Sequence, residues 1–307
     1  MVGVVVAIET FALTKRYGET EAVVDLDLQV EAGRVFGFLG PNGAGKTTTI
    51  RMLLGLQRPS AGRAVVLGLD AQLDSCEIHR RIGYLPGELV LYPRMTGRDL
   101  VAGFGRARGD RRPAVDDLVA RFDAVMDRPV RELSKGNRQK IGIVLAFMHQ
   151  PELLVLDEAT SGLDPLMQNE FERLVRETVR DGGTVFLSSH DLEEVQRVAD
   201  RVGLIKAGRL VITDTIDALR ERAPLKVTAL FASQVDPTSF SDIDGVTVLG
   251  SHGRQLELQL AHGPVAPLLR RLADREPLDV TARRADLEEL FLDLYRRPSS
   301  LRTSDGD

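Results

Sequence analysis

Residues 40–47 read GPNGAGKT, glycines and small residues closing on a lysine and a hydroxyl. The spacing matches G-x-x-x-x-G-K-[ST], and a strand-like run, RVFGFL (34–39), precedes it while a helix-like run, TTTIRMLLGL (47–56), follows. Gly40, Gly43 and Gly45 let the backbone of Pro41, Asn42 and Ala44 curl so that consecutive N–H groups face an anion. The helix from Lys46, Thr47 and Thr48 adds its positive end. Lys46 would set a cation beside the β- and γ-phosphates of a nucleotide, and the Thr47 hydroxyl could ligate Mg²⁺. The competing reading is a glycine-rich strand–helix turn that merely contains a lysine. The flanking pattern favours the phosphate site.

Phosphate binding does not by itself imply hydrolysis. LLVLDE (153–158) supplies four apolar residues of a buried strand and then Asp157 and Glu158. Ligands of parallel sheets sit at the carboxyl ends of the strands, so both acids are expected to face the phosphate loop. Asp157 would hold Mg²⁺, directly or through water, and Glu158 would orient or polarise the attacking water. Two solvated acids ending a strand would be the plain alternative. His190 follows another apolar run, TVFLSS (184–189), on the same side of the sheet, where a γ-phosphate contact and a structural role are both open. Asp191 and Glu194 have the spacing of an N-cap and its capping-box partner. Asp164-Pro165 reads as an N-cap followed by proline at the first helical position.

These groups need a scaffold. Apolar strands alternate with amphipathic helices up to about Arg222, the pattern of a parallel sheet covered on both faces. The helix after Asp164 has apolar positions at Leu166, Phe171, Leu174, Val175 and Val179. From about Pro93 to Gln150 the pattern is helical only, an insertion into the sheet domain. The expected fold class is α/β: a parallel sheet core with a helical insertion, then a small C-terminal α+β domain; resemblance to P-loop NTPase cassettes adds an antiparallel N-terminal β part. The expected domains are 1–223, with the helical part at about 93–150, then 224–297, with a flexible tail at 298–307. In the second domain LKVTALF, VTVLG, QLELQL and LDVTA read as strands, and SHGR as a hairpin loop. Helices are expected at 265–273 and 285–296.

Composition narrows the class. The chain has 307 residues, 43% hydrophobic and 28% charged, with a formal net charge of −5. That argues against a disordered chain and against a general nucleic-acid binder. Cys76 is the one cysteine, so no intrachain disulfide forms, and a reducing cytosol fits. VGVVVAI (2–8) reads as a strand and not as a signal peptide. The longest interior apolar run, Ile141 to Met148, is too short to span a bilayer.

With LSKGN at 133–137, the ordered motifs resemble the ATP-binding subunit of an ABC transporter over roughly Ile8 to Arg222. The resemblance implies that Ser134, Lys135, Gly136 and Asn137 form a signature loop capping ATP held by a partner copy. It implies that Tyr17 stacks on adenine, and that Ser161, Gly162, Leu163 and Asp164 cross a dimer interface. His190 matches the family's switch histidine. Two copies, head to tail, would enclose two ATP and Mg²⁺ and drive a separate transmembrane permease subunit, at the cytoplasmic face of the cell membrane. More narrowly the chain resembles daunorubicin-type single-cassette exporter ATPases, on YLPGELVLYPRMTGRDL (84–100), ELSKGNRQK (132–140) and LEELFLDLYR (287–296).

Three departures from the family pattern bear on mechanism. Lys135 stands for a glycine of LSGGQ, its side chain expected to point outward. Asn137 is one methylene shorter than glutamine. Gly87 occupies the position where the family has a glutamine that touches Mg²⁺ and the attacking water, and Glu88 is expected to replace it in part. The alternative is that Pro86-Gly87 is only a turn and Glu88 solvated. The competing function classes are a soluble ABC ATPase acting on nucleic acid, ribosomes or regulation, and a small-molecule P-loop kinase. The single cassette and negative charge disfavour the first. LSKGN, SGLD and His190 would have no role in the second.

Overall fold

Val35–Leu39, Leu153–Asp157 and Thr184–Ser189 are buried at every position, which a strand accepts only when both faces of its sheet are covered. The computed structural model describes residues 5–107, 109 and 114–296, with 292–296 as backbone only. Residues 2–4 of the N-terminal run and the tail at 298–307 lie outside the described residues. The described chain forms two compact units, Met1–Ile216 and Asp217–Asp307.

The first unit begins with β1 (Val6–Tyr17) and β2 (Thr20–Glu31), then β3 (Val35–Leu39), α1 (Lys46–Leu53), β4 (Ala61–Val66), β5 (Leu69–Asp70), α2 (Ser75–Arg81) and β6 (Ile82–Leu85). Helices α3 (Gly97–Ala107), α4 (Val115–Phe122) and α5 (Lys135–Phe147) follow, then β7 (Leu153–Asp157), α6 (Pro165–Arg180), β8 (Thr184–Ser189), α7 (Leu192–Val198), β9 (Arg201–Lys206) and β10 (Arg209–Thr215). The central sheet runs β10-β9-β3-β8-β7-β6, parallel except for the β9–β10 hairpin. A second, antiparallel sheet runs β2-β1-β4-β5. Both share one core, in which Phe36 stacks on Phe186 at 5.9 Å between β3 and β8. The expected α/β cassette, antiparallel part and helical insertion are all present.

Leu166 departs from the expected apolar face of α6. It is 75% exposed, while Phe171, Leu174 and Val175 are buried. It sits in the first turn, where the helix has only just left the preceding loop and its apolar stripe has not yet reached the sheet.

The second unit opens with most of α8 (Ile216–Arg222), followed by β11 (Leu225–Leu230), β12 (Val246–His252), β13 (Gln255–Leu260), α9 (Val265–Ala273), β14 (Asp279–Arg284) and α10 (Leu287–Arg296). Its antiparallel sheet has the order β12-β13-β11-β14, and Gly253 turns the β12–β13 hairpin. Leu268 and Leu272 of α9 pack on Val227, Ala229, Leu256 and Leu258. The α8 end is tied to this unit because the Arg284 guanidinium donates to the carbonyls of Glu221 and Ala223, at 2.8 and 3.0 Å.

Candidate functional site

The loop between β3 and α1 folds as its glycines dictate. Gly45 caps α1 with φ 111°, and a Cβ there would lie 2.5 Å from the Ala22 carbonyl. Both the left-handed backbone and the close approach exclude any other residue. At Gly40 a Cβ would meet the Ile205 carbonyl at 2.6 Å, so the loop lies directly against β9. Ala44 is buried and closes the turn by donating its N–H to the Pro41 carbonyl at 3.1 Å.

Around this loop lies a cleft of about 510 Å³. It is lined by Pro41, Asn42, Gly43, Gly45, Lys46, Thr47 and Thr48, and by Gly87, Glu88, Asp157, Glu158, Ser161 and His190. Segments as distant in the chain as those of Pro41 and His190 meet here because β3, β6, β7 and β8 are parallel and end on the same side. Gly40 and Ala44 support the loop without lining the cleft, and Tyr17 is not among its lining residues. The Tyr17 hydroxyl is engaged by the Gln57 amide, and Lys15 Nζ lies 5.2 Å from the ring centroid, so its face already carries a cation.

Lys46 is nearly buried and donates to the Gly40 carbonyl at 2.6 Å. Its ammonium also lies 3.3 Å from Glu158 Oε1. The other Glu158 oxygen, Oε2, is 2.5 Å from His190 Nδ1. Glu158 itself takes the left-handed conformation, φ 49°, held by its N–H on the Ser188 carbonyl and its carbonyl on the Ser161 N–H. A side chain in so sparsely populated a backbone state belongs to a site that over-determines it.

Asp157 is 2% exposed. Thr47 Oγ1 donates to its Oδ2 at 2.9 Å, and the Ser188 hydroxyl donates to Oδ1. A carboxylate and a hydroxyl in contact are hard oxygen donors, the set that suits Mg²⁺. Among the described residues no group of three His, Cys, Asp or Glu side chains converges to hold a metal. Mg²⁺ takes one or two protein ligands and completes its shell with phosphate and water.

Gly87 sits within van der Waals reach of Asp157: a Cβ there would lie 3.4 Å from its carbonyl oxygen and 3.5 Å from Oδ2. A longer side chain at this position would therefore enter the space beside the Asp157 carboxylate. Glu88 lines the same cleft and is exposed.

Sequence reasoning missed Tyr84, Arg51 and Ser188. Tyr84, the penultimate residue of β6, lines the cleft. Burial, and then the Asp157 charge, push its phenol up to about 12, with Arg51 opposing. Arg51 lines the cleft as well, and its place one turn after Thr47 on α1 was a usable signal. Ser188 was legible only as the penultimate residue of a buried strand.

The signature residues line a second recess, of about 450 Å³, with Ser134, Gly136, Asn137, Lys140, Gly162, Leu163 and Asp164 in its wall. Ser134 caps α5 by accepting from the Asn137 N–H at 3.2 Å, and Asp164 caps α6 by accepting from the Met167 N–H at 3.0 Å. Lys135, expected to point outward, is exposed; its stem runs over Gly162 and its Nζ donates to Ser161 Oγ at 3.1 Å. The Asn137 amide exchanges two hydrogen bonds with the Val125 backbone at 2.9 and 3.1 Å. The capping box is corrected. Asp191 caps α7 as expected, but the Glu194 carboxylate turns inward to Thr160 and Ser189 and does not return to the cap.

A family model described as ABC transporter matches residues 23–161. The daunorubicin resistance ATP-binding protein DrrA3 of Streptomyces coeruleorubidus is 36% identical over 307 residues, covering 94% of this chain and 95% of that one. A solved ATP-binding subunit of an ABC transporter superposes with a TM-score of 0.66 at 29% identity, covering 70% of this chain and 92% of its own. The dimeric structure of MJ0796, a bacterial ABC transporter cassette, shares the fold with a TM-score of 0.61 at 22% identity, covering 68% and 98%. With a relative 36% identical over nearly the whole of both chains and a phosphate loop facing paired carboxylates, the chain belongs to the ATP-binding cassette ATPases of the ABC transporter family.

Proposed function

We propose that this ATPase powers export of a drug, an antibiotic or another hydrophobic compound through a separate transmembrane permease, as a head-to-tail pair of copies at the cytoplasmic face of the membrane. The observation that carries the reading is the convergence of Lys46, Thr47, Asp157, Glu158 and His190 on one cleft, while Ser134 and Gly136 line another recess of the same chain. Each copy would supply the phosphate loop for one ATP and the signature loop for the other. Among the described residues no helix is long and apolar enough to cross a membrane, so the conduit would come from another chain. The name of the near full-length relative, a daunorubicin resistance protein, supports a hydrophobic cargo.

In this reading the Gly43–Thr48 backbone amides and the α1 N-terminus hold the phosphates, and Lys46 leaves Glu158 for them. Thr47 and Asp157 would hold Mg²⁺, which when bound offsets charge on the β- and γ-phosphates. Glu158 orients the attacking water, His190 contacts the γ-phosphate, and Tyr17 covers the adenine. Ser134 and Gly136 close over the partner copy's nucleotide, with the 161–164 segment at the interface. ATP-driven closure and opening after hydrolysis would then shift the permease between states.

Co-expression with a transmembrane subunit, followed by ATPase assays with candidate hydrophobic compounds, tests this. Compound-stimulated hydrolysis that requires the membrane subunit is the expected result. Co-purification with ribosomes and no membrane protein would refute it.

A further inference from the structure

Glu158 and His190 stand on two different loops, after β7 and after β8, and His190 is largely exposed. An exposed pair of this kind has little power to fix the loops that carry it. The Glu158 N–H on the Ser188 carbonyl ties the two strand ends, and a side-chain tie lies beneath them, at Glu194. It is 4% exposed on α7. Thr160 Oγ1, two residues after Glu158, donates to Glu194 Oε1 at 2.9 Å. The Ser189 hydroxyl, immediately before His190, donates to Oε2. Ser189 Oγ in turn accepts the Asp191 N–H at 3.0 Å, so both Glu194 oxygens and the Ser189 oxygen are used.

We infer that Glu194 is a positioning residue for hydrolysis, a buried bridge that sets the separation of the Glu158 and His190 loops. It touches no nucleotide and acts only through those two side chains. Two features separate it from an ordinary buried acid. Its two oxygens go to different loops, one on each catalytic partner's side. It is also retained against a cost, since burial pushes its carboxyl up, with the Glu158 and Asp191 charges adding and the two hydroxyl bonds opposing. Gln139 and Lys135 also reach the 158–162 segment, at the Ala159 carbonyl and Ser161 Oγ, but neither contacts the His190 side. Glu194 joins the Thr160 and Ser189 side chains across the two.

The inference rests on the roles given above to Glu158 and His190, and the test separates the two. Steady-state ATP hydrolysis by the full chain is compared for Glu194→Ala, Glu194→Asp, Glu194→Gln and Glu158→Gln, with nucleotide affinity measured by a fluorescent ATP analogue. Glu194→Asp keeps the acid but is one methylene too short to span Thr160 and Ser189. Glu194→Gln keeps the span, accepting from Thr160 and donating to Ser189 Oγ. The expected result is a kcat at least ~10-fold lower in Glu194→Ala and Glu194→Asp, the scale of a small misplacement of reacting groups. KM and analogue affinity stay within about twofold, and Glu194→Gln recovers most of the rate. Unchanged kcat in Glu194→Ala, or loss appearing mainly as weaker binding, overturns the inference, as does a Gln variant no better than Asp. Loss in Glu158→Gln with none in Glu194→Ala overturns this inference alone. Full activity in Glu158→Gln removes the Glu158 role and the bridge's purpose together.

Discussion

Lys46 Nζ lies 3.3 Å from Glu158 Oε1, so the cation meant for phosphate is held by the carboxylate meant for water. Nucleotide must compete with that pair. At an effective dielectric of about 20 the attraction has a ceiling near 5 kcal/mol, most of it offset by desolvation and by the Gly40 carbonyl that also holds Lys46. A residual ~1 kcal/mol would be worth about fivefold in affinity. Glu158→Gln is therefore expected to bind ATP ~3–10-fold more tightly while hydrolysing it at least ~100-fold more slowly. Fluorescent nucleotide titration and phosphate release measure the two, and light scattering should detect an ATP-bound dimer of the variant.

Asp157 accepts hydroxyl bonds at both oxygens, from Thr47 and Ser188. Asn at this position keeps one acceptor and leaves the other hydroxyl facing an amide, a cost of about 1 kcal/mol in stability. The larger effect falls on the metal. Calorimetric titration of Asp157→Asn with ATP is expected to show Mg²⁺-free binding within about twofold of the parent, and the gain on adding Mg²⁺ reduced ~10-fold or more. An undiminished Mg²⁺ effect would remove Asp157 from the metal site.

Gly87 leaves open the space beside Asp157 that a side chain could enter at ordinary contact distance. No left-handed backbone demands glycine there. Gly87→Gln is expected to fold with a Tm within about 2 °C of the parent, since no cavity, clash or strained backbone is created. Glu88→Ala is expected to change the Mg²⁺ dependence of hydrolysis with the membrane partner present. Identical Mg²⁺ curves would assign Glu88 to solvent and the Pro86-Gly87 pair to a plain turn.

In the second unit, Arg283 and then Lys226 bond Glu289, at 3.0 and 2.8 Å, and hold its carboxyl at about 2 against an ordinary 4.5. A carboxylate depressed on folding contributes stability that is complete above about pH 4.5 and is lost as the pH falls through about 2. Glu289→Gln is thus expected to destabilise the full chain at neutral pH. The gap between parent and variant narrows across that window, as read by urea unfolding at successive pH values. A gap constant with pH would mean that the ion pairs contribute nothing measurable.

Much of the site was legible as pattern. The phosphate loop, Asp157, Glu158 and the Asp164 and Asp191 caps are local signals, because glycine conformations, strand ends and N-caps depend on a few neighbouring residues. Arg51, Tyr84 and Ser188 needed the register of the sheet before they could be placed. Glu194 was misread because a long polar side chain takes the partner that packing brings within reach, and Thr160 lies 34 residues away. The partners of Lys135 and Asn137, 26 and 12 residues away, were likewise beyond local pattern.

By itself, the order of the residues determined the parallel sheet core, the phosphate cradle and the strand that ends in two acids, since each follows from local conformation and burial periodicity. Only the tertiary structure decided which side chains meet. It paired Lys46 with Glu158, set Gly87 against Asp157 and turned Glu194 inward beneath two loops. Parallel strands bring distant segments to one edge, and the contacts made there depend on sheet order and helix packing that no short stretch of sequence encodes.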